Sequence, residues 1–164
     1  RPAWTEPADL VNAAADWLRA RHPQHRVLAD VSDELPLVHV DPVLVEQALR
    51  QVLDNAAKYS PPGTPVTVTA EDAGGRVAIR VRDQGIGLTG EERDQVFERF
   101  YRGPRHQGAV AGSGLGLWIA RAFVTANSGQ LRVDSAGPGR GTLVTITLPA
   151  PPDAGHLAQG DADE

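Results

Sequence analysis

No cysteine occurs in the 164 residues, and lysine occurs once, at Lys58. The first absence excludes disulfides and thiolate metal sites. The five histidines (His22, His25, His39, His106, His156) do not fall at ligand spacings, so no protein-bound structural metal is expected. No run approaches the roughly 18 apolar residues of a membrane-spanning helix, and the start lacks a signal-peptide pattern, so this stretch reads as soluble. Basic excess is also missing. The net charge is −5, and the last residues hold Asp153, Asp161, Asp163 and Glu164 with no Arg or Lys after Arg140. Without that tail the chain is nearly neutral, which gives no footprint for nucleic acid.

What is present suffices for one domain of ordinary size, with 41% hydrophobic residues to close a core. Leu10, Val11, Ala14 and Leu18 recur at helical spacing and predict a helix over residues 7–21, stopped at His22-Pro23. Short strands are expected at 26–31 and 37–40. Asp41-Pro42 then supplies an N-cap and a first-turn proline for a second helix, which Ser60-Pro61-Pro62-Gly63 ends. Residues 65–70 and 76–82 alternate apolar and polar about Gly74-Gly75, as an antiparallel hairpin with one wet face does. Residues 83–114 are glycine-rich and irregular apart from a helical turn at 91–100, the pattern of a binding loop or lid. A third helix is expected at 115–126 and a last strand pair at 130–134 and 142–148. The fold class is an α/β (α+β) two-layer sandwich, with a mixed, mostly antiparallel sheet of about five strands on three helices. It occupies residues 1–149, followed by an acidic tail of disordered composition at 150–164.

On the second helix, at 100° per residue, Val45, Ala48, Leu49, Val52, Leu53 and Ala56 form the core arc. Glu46, Arg50 and Asp54 lie roughly opposite, as a solvated face, which leaves Asp54 a bystander. Gln51, Asn55 and Lys58 form a polar stripe at the core border. Such a border is an ordinary transition between buried and wet. It also has the chemistry of a phosphate–magnesium site, because an Asn carbonyl is a hard oxygen ligand and a Lys ammonium one turn on can meet phosphates.

Two glycine motifs stand beyond that helix. Asp83-Gln84-Gly85-Ile86-Gly87 follows a strand, and Gly112-Ser113-Gly114-Leu115-Gly116 opens a helix, where free N–H groups favour phosphate. Each alone is a weak signal that a turn explains. Familiar alternatives fail: a Walker A loop needs Gly-Lys-Ser/Thr, whereas the single lysine follows Ala57. Val77-Ala78-Ile79-Arg80 mimics a kinase V-A-I-K strand but ends in Arg, without H-R-D or D-F-G. A Rossmann site lacks its βαβ context.

In order, these motifs resemble the ATP-binding catalytic domain of bacterial sensor histidine kinases, in the superfamily with gyrase B, Hsp90 and MutL. Residues 51–60 resemble the N box, 83–87 the G1 box, 96–101 the F box, 112–116 the G2 box and 139–142 a G3-like segment. The resemblance implies the Bergerat fold, with ATP and Mg²⁺ as cofactors. It implies that Asn55 coordinates Mg²⁺, that Lys58 contacts phosphate and that Tyr59 packs near the adenine. Asp83 accepts from the adenine amino group, supported by Thr142, and Gly85 and Gly87 let the base approach. Arg102 and Arg105 reach the phosphates from the lid. Gly112, Ser113, Gly114, Leu115 and Gly116 form the lid's hinge, and Phe97 and Phe100 anchor it. Gln51 stands where hydrolytic relatives carry a water-activating Glu, and its amide is a poor general base, which disfavours gyrase-like hydrolysis. Whether Gln51 is a second magnesium ligand stays open.

The resemblance further implies transfer of the γ-phosphoryl to a histidine on a helical dimerisation domain, then to a response-regulator aspartate. No histidine here has the acceptor setting, so an excised catalytic domain is expected, monomeric by itself within a homodimeric kinase. The domain would be cytoplasmic, in a protein anchored in the inner membrane. The N-terminal segment with Trp4 and Asp9-Leu10, and Trp118-Ile119-Ala120-Arg121, are similar to the potassium-responsive KdpD-type kinases. An ATP-driven hydrolase clamp and a non-enzymatic nucleotide sensor are the competing classes. Phosphate release without an acceptor would favour the first, and failure to phosphorylate a matching acceptor domain the second.

Overall fold

The structure, a computed structural model, describes residues 1–95 and 116–152. The elements run β1 (Ala3–Thr5), α1 (Pro7–Arg21), β2 (Arg26–Asp30), β3 (Val38–Val40), α2 (Pro42–Lys58), β4 (Pro65–Asp72), β5 (Arg76–Arg82), α3 (Gly90–Gln95), α4 (Gly116–Ala126), β6 (Gln130–Asp134) and β7 (Leu143–Pro149). Five strands form one sheet in the order β2-β4-β5-β7-β6, and β1 with β3 forms a separate antiparallel pair. Only β2 and β4 run parallel in the large sheet, as expected for strands joined by a crossover through α2.

Alternation along the strands decides which sheet face is covered. Val66, Val68, Val77, Ile79, Val81, Val144, Ile146 and Leu148 are buried, and they share one core with Leu10, Ala14 and Leu18 of α1, Val45, Leu49 and Val52 of α2, and Ala120 and Val124 of α4. The helices therefore form the second layer of a sandwich, with α2 packed between α1 and α4. The core does not end at residue 149: Ala150 is buried, and its N–H donates to Gly75 O at 2.9 Å. The remainder of the acidic tail, from residue 153, lies outside the described residues. No helix among the described residues is long and apolar enough to cross a membrane.

The start of α2 is set by Asp41, whose Oδ1 accepts from Val43 N at 3.0 Å and Leu44 N at 3.2 Å, with Pro42 in the first turn. Its backbone N–H donates to Asn127 Oδ1 at 2.7 Å, tying the end of α4 to the start of α2. Asp41→Ala removes both cap bonds, and in a thermal melt it is expected to lower the midpoint by about 3 °C.

The short helix α3 begins in a capping box that the sequence reading did not pick out: Thr89 Oγ1 accepts from Glu92 N at 3.1 Å while Glu92 Oε1 accepts from Thr89 N at 2.9 Å. The helix begins at Gly90, one residue before the helical turn expected at 91–100, and the part of that span from residue 96 lies outside the described residues.

Candidate functional site

The C-terminal half of α2 and two glycine-rich loops meet at one junction. At the helix end, Tyr59 N donates to Asn55 O at 3.2 Å and Ser60 Oγ to Ala56 O at 2.7 Å, which satisfies carbonyls the helix would otherwise leave open. Pro61-Pro62 cannot continue the ladder. The Tyr59 carbonyl then takes Ile86 N at 3.2 Å, docking the loop after β5 onto the helix terminus.

That loop is built around Asp83. Its backbone pairs with Thr142, Asp83 N donating to Thr142 O at 3.0 Å. Its Oδ1 accepts two backbone N–H groups, from Gly85 at 2.8 Å and Thr142 at 3.1 Å. Oδ2 accepts nothing among the described residues. Burial pushes the carboxyl up to about 6, against the opposing pull of those two N–H donors. Asp83 is thus a buried acceptor with one oxygen anchored and the other open, the chemistry of a group that reads an amino donor on a ligand.

The loop between β6 and β7 holds the other side. Gly141 N donates to Gly85 O at 3.1 Å and Gly139 N to Ile86 O at 2.7 Å. Ser135 Oγ accepts from Leu88 N at 3.0 Å and donates to Gly141 O at 2.7 Å. Ser135 carried no motif in the sequence, and its linkage of the two loops depends on a meeting across 47 residues.

The glycines have a reason of their own within the protein. A Cβ at Gly85 would stand 2.3 Å from Tyr59 O, and one at Gly87, where φ is +68°, 2.2 Å from Gly137 O. The backbone contact alone therefore requires glycine at both positions, whatever else approaches them.

Gln51, Asn55 and Lys58 are all half-buried along α2, as the stripe predicts. Gln51 lies at the start of α4, where a Cβ on Gly116 would sit 3.4 Å from its Oε1. The Asn55 carboxamide makes no hydrogen bond among the described residues, so its oxygen is available to a hard cation. No cluster of three or more His, Asp or Glu that could cage a metal occurs among the described residues. The Asn55 oxygen fits a Mg²⁺ that takes one protein ligand and fills its other positions with ligand oxygens and water.

The face opposite the core arc is a correction. Helical periodicity makes Glu46, Arg50 and Asp54 solvated, but the end of α1 meets Arg50 and Asp54. The guanidinium groups of Arg21 and Arg50 each lie over the Trp17 ring, 5.4 Å from its centroid. Asp54 is no bystander: it pairs with Lys58 at 3.0 Å, His22 at 2.8 Å and Arg21 at 3.2 Å. Burial alone would raise its carboxyl, but the bonds from His22, Lys58 and Arg21 and the lysine charge outweigh that and hold it below the usual carboxylate range. The acid–base spacing of Asp54 and Lys58 at i, i+4 was the readable signal.

The F-box segment 96–101 with Phe97 and Phe100, the lid arginines Arg102 and Arg105, and Gly112, Ser113, Gly114 and Leu115 lie outside the described residues.

Comparison with known proteins adds a family to this geometry. Residues 40–152 match the family described as "Histidine kinase-, DNA gyrase B-, and HSP90-like ATPase". The sensor-like histidine kinase SenX3 of Mycobacterium tuberculosis is 38% identical over 142 residues, covering 81% of this chain and 34% of the relative. The solved structure of the mycobacterial sensor histidine kinase MprB aligns with a TM-score of 0.77 at 34% identity, over 93% of this chain and 98% of that one. Full-length ShkA in complex with AMPPNP aligns with a TM-score of 0.76 at 28% identity, over 90% of this chain and 31% of that one. The chain spans about a third of the length of the curated relatives it matches. With more than half its length matched and the same sandwich in its solved neighbours, it belongs to the histidine kinase-, DNA gyrase B- and HSP90-like ATPase family, as the catalytic domain found in sensor histidine kinases.

Proposed function

We propose that this domain binds Mg²⁺·ATP at the junction of α2 with the two glycine loops and presents the γ-phosphoryl to a histidine on a helical dimerisation domain outside this chain. The observation that carries the reading is Asp83, a buried carboxylate with Oδ1 fixed by two backbone N–H groups and Oδ2 without a partner among the described residues. It takes the adenine amino group, with Thr142 holding it through the backbone, and Tyr59 lies beside the base. Gln51 borders the nucleotide at the α4 end, Asn55 offers its oxygen to Mg²⁺ and Lys58 its ammonium to the phosphates. Arg102, Arg105 and the segment from Gly112 to Gly116 complete the phosphate side. A neighbour solved with AMPPNP supports a nucleotide of this kind.

Phosphoryl transfer asks for positioning and charge neutralisation more than covalent help. Bound Mg²⁺ supplies part of that neutralisation. The chain's own residues fix the base through Asp83 and draw the phosphates toward Lys58. In the full-length protein, a membrane-anchored homodimer with this domain in the cytoplasm, the phosphoryl passes on to an aspartate of a cognate response regulator.

The test uses calorimetry and labelled ATP. The chain is expected to bind Mg²⁺·ATP, to form no phosphoprotein alone, and to yield acid-labile, base-stable phosphohistidine when a matching acceptor domain is added. Asn55→Ala should weaken binding with Mg²⁺ present and leave binding in EDTA unchanged. Absence of ATP binding by the chain would sink the reading.

A further inference from the structure

Lys58, the group assigned to phosphate, is tethered to a carboxylate of its own helix that is itself held from outside that helix. Its ammonium lies 3.0 Å from Asp54 Oδ2, one turn earlier on α2. The other oxygen, Oδ1, takes His22 Nε2 at 2.8 Å and Arg21 Nε at 3.2 Å, both from the end of α1. Gln24 Nε2 is 3.3 Å from His22 Nδ1. A carboxylate only accepts, so the bond to Asp54 is donated by His22 Nε2.

Three features separate this from a surface ion pair of little consequence. The Asp54 side chain is 13% exposed and that of Lys58 28%, so solvent and salt screen the pair less than an exposed one. Donors from α1 fix the carboxylate, so the lysine's anchor does not drift with the lysine's own rotamers. The charges also do not cancel: Asp54 faces Lys58 and Arg21, which leaves the group net positive toward an incoming phosphate. An ammonium has three donors, and its one bond among the described residues, to Asp54, leaves two.

We propose that Asp54, held by His22 and Arg21, is a positioning residue that keeps the Lys58 ammonium at the edge of the Asn55 stripe with two N–H bonds available to the nucleotide phosphates. The inference rests on the reading of Lys58 as a phosphate ligand. If Asp54 instead sequesters the lysine from phosphate, the same substitution acts in the opposite direction.

The experiment measures Mg²⁺·ATP and adenosine affinity, by calorimetry or competition, for the wild-type chain, Asp54→Ala, Asp54→Asn, Lys58→Ala and the double variant Asp54→Ala/Lys58→Ala. Asp54→Ala is expected to weaken Mg²⁺·ATP about tenfold, the usual scale for a group that orients a ligand's partner. Adenosine, which has no phosphate, should bind as to wild type. The double variant should be no weaker than Lys58→Ala alone, since the effect passes through the lysine. Asp54→Asn keeps the shape and an acceptor for His22, so it gives the same reading with a smaller loss if the alanine variant does not fold. Unchanged or tighter ATP binding in either Asp54 variant overturns the proposal. So does a parallel loss of adenosine binding, or an additive loss in the double variant, either of which marks a purely structural role. Failure of the wild-type chain to bind Mg²⁺·ATP is a separate result, which removes the site reading and this inference with it.

Discussion

Asp83→Asn is expected to abolish useful ATP affinity while making the folded chain more stable above neutral pH. The asparagine Oδ1 can still accept the Gly85 and Thr142 N–H groups, so the loop after β5 keeps its shape. Oδ2 becomes an NH₂, and a donor then faces the adenine amino donor at a buried position. Loss of one charge-assisted bond and the unpaired donor together cost about 3 kcal/mol, on the order of a hundredfold in affinity. The stability gain follows from the same burial. The folded carboxyl titrates at about 6 against 3.8 for its ordinary value, so the folded chain binds more protons between those pH values. Stability from Asp83 is full below the lower value and lost as pH rises through the upper one; by pH 8 the buried charge costs roughly 3 kcal/mol at most. Thermal melts from pH 5 to pH 8 should show the variant's advantage growing with pH. Over the same range wild-type ATP affinity should fall on acidification through about 6, while the variant's stays flat. Equal ATP affinity in the two proteins at pH 8 would refute the assignment of Asp83 to the base.

The parts of this fold legible in the sequence are those whose cause is local. Both long helices end where proline, cap residues and apolar periodicity place them, at Arg21 and Lys58, because those signals act within a turn or two. Strand β1, three residues from Ala3 to Thr5, has no such signal: it exists through pairing with Val38, His39 and Val40, and Trp4 packs on His39 with ring centroids 4.6 Å apart and planes tilted by 40°. The site divides in the same way. The Asn55–Lys58 stripe is a property of one helix and was readable. Asp54 was misread because a helical wheel assigns water to every polar arc, whereas here His22 and Arg21 of another helix occupy that side. Ser135 was missed because its role is to join two loops far apart in the chain.

Gly85→Ala and Gly141→Ala are expected to disable the site through the backbone, with no direct contact to ligand required. A Cβ at Gly85 would meet Tyr59 O at 2.3 Å and Asp83 Oδ1 at 3.0 Å; one at Gly141, where φ is +74°, would meet Asp83 O at 2.2 Å. The nearest obstacle in each case is a backbone carbonyl, not the end of a side chain that could swing aside. Relief must come from separating the loop after β5 from the end of α2, or from β7, and either movement shifts Asp83. Overpacking of this kind costs about 3 kcal/mol, with a left-handed alanine adding to it at position 141, and this corresponds to roughly 6–12 °C in midpoint for a domain of this size. Gly74 is the control, because its φ is +68° but nothing lies within 4 Å of an added Cβ. Gly74→Ala carries only the backbone penalty, about 1–2 kcal/mol, and should bind Mg²⁺·ATP as wild type does. If glycine mattered at position 85 only for the approach of the base, Gly85→Ala would lose ATP while melting at the wild-type temperature. A drop in midpoint together with loss of ATP identifies the carbonyl of Tyr59 as the wall against which the glycine loop is built.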